Sequence, residues 1–201
     1  MNLNATDPSV RLRAALDAGT TPDPADTATV RELVARCAVE PDFFVRDMLT
    51  WALTRHPVSI TLPPLLTELL SPTPQARAQA LHTLSKIGED SAYPHITDDL
   101  LGDADDDVAR TAWRAAAGLV PTRDARQLAT RLSTQLGRGP RELRRSLSRA
   151  FLQLGEAGRP VLDDASTADG VAASHAAATL ILLDDPDYGF DAAEYAVAHP
   201  E

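Results

Sequence analysis

Asp106-Asp107-Val108-Ala109-Arg110-Thr111-Ala112-Trp113-Arg114-Ala115-Ala116-Ala117-Gly118-Leu119 is the stretch from which the fold can be read. Acids come first, where they favour a helix N-terminus. Val108, Ala112, Ala116 and Leu119 then recur at helical spacing and define one buried face. Three further stripes follow the same rule: Val45, Met48, Leu49, Ala52 and Leu53; Ala76, Ala80, Leu84 and Ile87; Leu143, Leu147, Ala150, Phe151 and Leu154. No segment alternates as a strand would. Aromatics are only 4% of the chain, so the core must be mostly Leu, Ala and Val, and the fold class is all-α.

Prolines and glycines punctuate these stripes. They predict helices near 8–18, 26–39, 42–56, 59–70, 74–87, 91–101, 105–119, 123–136, 140–154, 157–165, 170–183 and 188–198. Pro63-Pro64 and Pro94 read as first-turn prolines, and Asp169 as the opening of the last region. The helices pair with a period of roughly 30–34 residues. Val45-Arg46 aligns with Ala76-Arg77, Ala109-Arg110 and Leu143-Arg144, and three residues on come Leu49, Ala80, Trp113 and Leu147. Gly88-Glu89 and Gly155-Glu156 close two of the repeats, with a glycine where a helix end needs a left-handed residue.

An apolar residue followed by Arg, regular apolar spacing and a Gly-acid turn resemble HEAT repeats, above all the short bacterial type named from phycobilisome lyases. Asp106-Asp107-Val108-Ala109-Arg110 is the closest stretch, and residues 45–57 resemble small actinobacterial HEAT-repeat proteins of unassigned role. The likeness covers roughly residues 40–185. It implies a HEAT-like α-α superhelix, a solenoid of about five to six helix pairs. The expected organisation is a single array over 1–201, with N-terminal capping helices at 1–40, core repeats at 41–167 and a C-terminal capping pair at 168–201. The repeat residues are scaffold, so the resemblance implies protein binding and names no reaction.

The search for chemistry returns expectations of absence. Cys37 is the single cysteine, which rules out a disulfide framework within the chain. The N-terminal residues lack a signal-peptide pattern, and no apolar run approaches the ~20 residues that span a bilayer. The expected setting is cytoplasmic, with no membrane partner. One lysine, Lys86, against eighteen arginines points to a high-GC bacterial genome. His56, His82, His95, His175 and His199 are too scattered for a metal site, and the His-Glu pairs of HEAT hydroxylases do not occur. There is no P-loop, nucleophile elbow or dinucleotide fingerprint. The expectation is a non-enzyme with no catalytic, metal or cofactor-binding residue and no cofactor.

Charge carries the remaining content. Residues 110–149 hold ten arginines and two acids, whereas 1–109 and 150–201 are acidic, so the net −10 conceals a basic middle. Arg46, Arg77, Arg110 and Arg144 share one repeat position and predict a structural ladder, with Asp42 and Asp106 in reach of Arg46 and Arg110. Arg138, Arg141, Arg145 and Arg149, spaced 3, 4 and 4, predict a basic stripe. Together with Arg110 and Arg114 they are candidates for partner binding, or else pair with acids of neighbouring helices such as Asp163 and Asp164. Trp51 falls at a mostly polar repeat position, which makes it either a partly exposed interface anchor or a residue packed on the N-terminal pair.

Three readings follow. The first is a non-catalytic scaffold whose basic central surface binds an acidic protein or peptide. The alternative is nucleic-acid binding through 110–149, as in the HEAT-like alkylpurine DNA glycosylases that this fold resembles; the net charge disfavours it. The third is weak, salt-sensitive self-association of acidic ends with a basic middle, against which stands a plain monomer.

Overall fold

Sequence periodicity translates directly into helices in the computed structural model, which describes residues 2–199. Among the described residues there are twelve α-helices and no strands: α1 (Pro8–Thr20), α2 (Thr27–Cys37), α3 (Phe43–Arg55), α4 (Val58–Glu68), α5 (Pro74–Ile87), α6 (Asp98–Leu101), α7 (Asp106–Leu119), α8 (Ala125–Ser133), α9 (Arg141–Leu154), α10 (Arg159–Ser166), α11 (Val171–Asp184) and α12 (Phe190–Ala198). They gather into two compact units, one ending at Leu100 and the other beginning at Leu101.

In the first unit, α1, α3 and α5 pack side by side as one layer, and α2 and α4 form the second. Leu33, Leu49, Leu53, Leu65, Leu81 and Leu84 are fully buried. Each such side chain stabilises by roughly 1.5–3 kcal/mol on burial. In the second unit, α7, α9 and α11 form one layer, α8 and α10 the other, and α12 lies on α11. Trp113, Leu119, Leu128 and Phe151 fill its centre, and the Trp113 indole N–H donates to the Leu101 carbonyl at 2.8 Å.

Local chemistry sets the helix ends. Asp105, not Asp106, caps α7: its Oδ1 accepts from the amides of Asp107 (3.0 Å) and Val108 (3.2 Å), which places Asp106 and Asp107 in the first turn. α11 begins after Gly170, one residue beyond the predicted Asp169. Gly88 ends α5 in the left-handed conformation (φ 73, ψ 26). Gly155 also has positive φ (56) but with ψ −134, and it opens a 3₁₀ turn instead.

The prolines correct two expectations. Pro63 and Pro64 lie inside α4 rather than in its first turn, so the carbonyls of Ser59 and Ile60 lack their usual i+4 amide donors. The helix predicted over 91–101 is instead a 3₁₀ segment, Asp90–His95, that contains Pro94, followed by the four-residue α6.

α1 and α3 approach closely at Gly19. The ring of Trp51 lies over this glycine, and a Cβ there would also come within 2.8 Å of the Ala52 Cα. Gly19→Ala is therefore expected to lower stability by about 1–3 kcal/mol, the range for overpacking. Urea titration against wild type checks this.

Candidate functional site

The repeated arginines are turn clamps. Arg46 Nη1 donates to the carbonyls of Glu40 (2.8 Å) and Pro41 (2.9 Å), in the turn just before its own helix. Arg77 reaches back to Ser71 O (2.8 Å) and Arg144 to Gly139 O (2.9 Å). Arg11, which sequence reading did not place in this set, does the same with Ala5 O (2.9 Å) and Thr6 O (2.8 Å). The shared feature is an arginine five or six residues after a turn whose carbonyls lack helical donors. Asp42 serves as the α3 cap, accepting from the Val45 amide at 3.0 Å. Arg110 departs from the pattern: it pairs with Asp107 at 2.9 Å, while Asp106 goes to Arg138 at 2.8 Å.

A buried ionic cluster ties the first unit together. Glu40 is fully buried (0% exposed) and accepts from Arg11 Nε and Nη2, each at 2.7 Å, from Arg36 Nε at 2.7 Å and from the Asp42 amide at 2.9 Å. Burial pushes this carboxyl up, but the Arg11 and Arg36 hydrogen bonds and the Asp42 amide outweigh it and hold the pKa at about 2. Sequence reading missed this cluster, because Arg11, Arg36 and Glu40 come together only once α1 packs on α3.

Repeat packing also buries two matched polar rings. Between α3 and α5, Gln79 Nε2 donates to Thr50 Oγ1 (2.8 Å), which lies 3.2 Å from Thr83 Oγ1, and Thr83 donates to Gln79 O (2.9 Å). Between α9 and α11, His175 Nε2 lies 3.0 Å from Ser148 Oγ, Ser148 Oγ 2.7 Å from Thr179 Oγ1, and Thr179 donates to His175 O (2.8 Å). The Gly137 amide donates to His175 Nδ1 (3.0 Å), so Nε2 carries the proton and the imidazole is neutral; Nε2 also lies 3.0 Å from Arg144 O. Burial is the main cause holding His175 down at about 4.

The predicted basic stripe divides in three. Arg138 packs 6.0 Å from the centroid of the Trp113 ring and bonds Asp103 O (2.5 Å), Asp106 (2.8 Å) and Gln135 (3.1 Å). Arg141 pairs with Asp191 (2.9 Å) and Glu194 (3.0 Å) of α12, and neighbouring Arg144 also pairs with Glu194 (3.0 Å). Arg145 and Arg149, by contrast, make no ion pair or hydrogen bond with any described residue, and neither does Arg114. Arg114 is held below its ordinary pKa by partial burial first, then by the charges of Arg110 and Arg149. Arg114→Gln is accordingly expected to raise the thermal midpoint at ~20 mM salt, and the gain should shrink at ~0.5 M salt as screening replaces the mutation. Differential scanning calorimetry at the two salt concentrations checks this.

Trp51 is 37% exposed with its ring against Gly19, so it is both packed on the N-terminal pair and partly open. Two turns earlier on α3, Phe44 is 72% exposed and stands edge-on to Phe43, 65% exposed, at 5.6 Å between ring centroids. This aromatic surface was missed because the two rings fall in a first turn, where the apolar period has only begun.

Among the described residues no group of three or more His, Cys, Asp or Glu side chains is placed to hold a metal ion, and no helix is long and apolar enough to cross a membrane. Helix pairs in two layers, an arginine clamp on the turn before a helix and polar rings between successive pairs define an α-helical repeat protein. Residues 30–118, from within α2 to the end of α7, match the family model for HEAT repeats, and this part of the chain is similar to HEAT repeats. No curated protein matches it.

Proposed function

We propose that this chain is a non-catalytic protein-interaction scaffold whose second unit receives an acidic protein segment along α7 and α9. HEAT repeats generally serve as protein-interaction scaffolds, which supports the coarse reading. The observation that carries the finer one is the set Arg114, Arg145 and Arg149, three cations on adjacent helices with no partner among the described residues. Like charges on one face repel and are retained at some expense of stability, which suits a surface that a partner neutralises. The exposed Phe43, Phe44 and Trp51 of α3 suit a second contact, since aromatics anchor interfaces.

Nucleic acid is a second reading favoured by the same three arginines, and the chain's net −10 opposes it. The test is affinity capture by wild type and by the triple variant R114E/R145E/R149E, each confirmed folded by circular dichroism. The variant should lose partners that wild type releases at ~0.5 M salt. Identical captured sets would refute the basic-face reading. A mobility shift of duplex DNA at ~50 mM salt, lost in the triple variant, would favour nucleic acid instead.

A further inference from the structure

We infer that the open flank between α7 and α9 takes an acidic α-helix, as Arg141 and Arg144 of α9 already take the acids of α12, which is seated on α11. This rests on the protein-binding reading above and specifies the shape of the partner. The chain displays the mode of capture internally. Arg141 and Arg144 of α9 are neutralised by Asp191 and Glu194, two acids three residues apart on one helix. Further along α9, Leu152 packs against a cluster of Ala178, Leu182, Phe190 and Ala193 that seats α12 on α11. An acidic amphipathic helix therefore already fits the arginines of α9 on one side.

On the opposite flank Arg114, Arg145 and Arg149 pair with no described residue, and only Arg110 is held, by Asp107 at 2.9 Å. Arg145 and Arg149 are four residues apart on α9, and Arg110 and Arg114 four apart on α7. Four residues advance a helix by about 6 Å, so each helix presents two cations roughly one turn apart. α7 and α9 run close here: a Cβ at Gly118 would lie only 3.3 Å from Gln153 Nε2, and the charges of Arg149 and Arg110 are both felt by Arg114. The two rows then lie about 8–10 Å apart, the usual spacing of packed helices. A helix of roughly 10 Å diameter laid between them presents acids to both rows at once. An extended acidic tail covers one row at a time. A phosphate backbone would meet the acids Asp105, Asp106 and Asp107 at the start of α7, next to Arg110, whereas a folded helix can present a neutral residue there.

The test uses the full chain and three fluorescein-labelled probes at ~50 mM salt: a designed peptide of about 16 residues with glutamates at i and i+4 on two flanks, the same composition interrupted by a central Pro-Pro, and a short DNA duplex. Anisotropy should show the helical peptide binding at least ~10-fold more tightly than the interrupted one, and R145E/R149E weakening it by a similar factor. D191N/E194Q, which alters the occupied flank, should leave binding intact. Equal binding of both peptides would overturn the helical partner while leaving an acidic one standing. Binding of the duplex but of neither peptide would overturn both. Salt-reversible dimers in light scattering that R145E/R149E abolishes would make a second copy of this chain the occupant and overturn the inference.

Discussion

Glu40→Ala should destabilise the first unit by about 3–5 kcal/mol, because it leaves Arg11 and Arg36 facing each other in a buried site with no anion between them. The loss is expected to exceed that of any exposed ion pair in the chain; Arg13–Asp17, with both side chains mostly exposed, should contribute under about 1 kcal/mol. Cys37 provides the readout. It is the single cysteine, it is buried, and burial pushes its thiol up to about 12, so it reacts with thiol reagents only when the first unit opens. Faster labelling of Cys37 together with a lower urea midpoint is the expected outcome, and wild-type behaviour in both would show that the cluster is not a source of stability. The same carboxyl sets a pH window. Its folded pKa lies below its ordinary 4.5, so its stabilisation is complete above 4.5 and disappears as pH falls towards about 2.

His175 produces the second large effect, at a different pH and in the other unit. The fold keeps the imidazole neutral down to about 4, against an ordinary 6.5. Above 6.5 neither state binds the proton. As pH falls below 6.5 the unfolded chain takes it up first, so stability declines down to about 4, by roughly 3 kcal/mol in all. Arg144 and Glu194 are the charged groups that act on the ring, and they oppose each other. His175→Ala is expected to be worse than acid. It opens a cavity and leaves the Gly137 amide and the Ser148 hydroxyl short of partners, at about 3 kcal/mol or more. His175→Gln is the informative variant. Gln79 already closes the equivalent ring between α3 and α5, so glutamine at 175 should rebuild the ring and remove the decline between pH 6.5 and 4. Trp113 fluorescence in a Trp51→Phe background reports on this unit alone. A pH profile for His175→Gln that matches wild type would assign the decline to other groups.

Much of this was legible in the residues before any packing was known. Val45 with Leu49, Ala76 with Ala80, Val108 with Ala112 and Leu143 with Leu147 fix the helices and their pairing, since helical period and proline position are local properties of the chain. The errors are local too. Helix punctuation by proline assigns Pro63 and Pro64 to a first turn, yet α4 carries them in its interior. The basic stripe is the instructive failure. Spacing alone puts Arg138, Arg141, Arg145 and Arg149 on one face, but packing sends Arg138 to Asp106, Arg141 to α12 and Arg149 towards Arg114 of α7, and leaves Arg145 without an ion pair among the described residues.

The sequence by itself determined an all-helical repeat, its period and the concentration of arginine in the middle of the chain, because these depend on residues within one or two turns of each other. Only the tertiary structure decided which arginines are spent on turn carbonyls and ion pairs and which are left open, and it alone assembled Arg11–Glu40–Arg36 and the His175 ring. Partners some 30 residues apart meet only when successive helix pairs stack, and the sign and size of a buried charge's contribution depend on that surrounding.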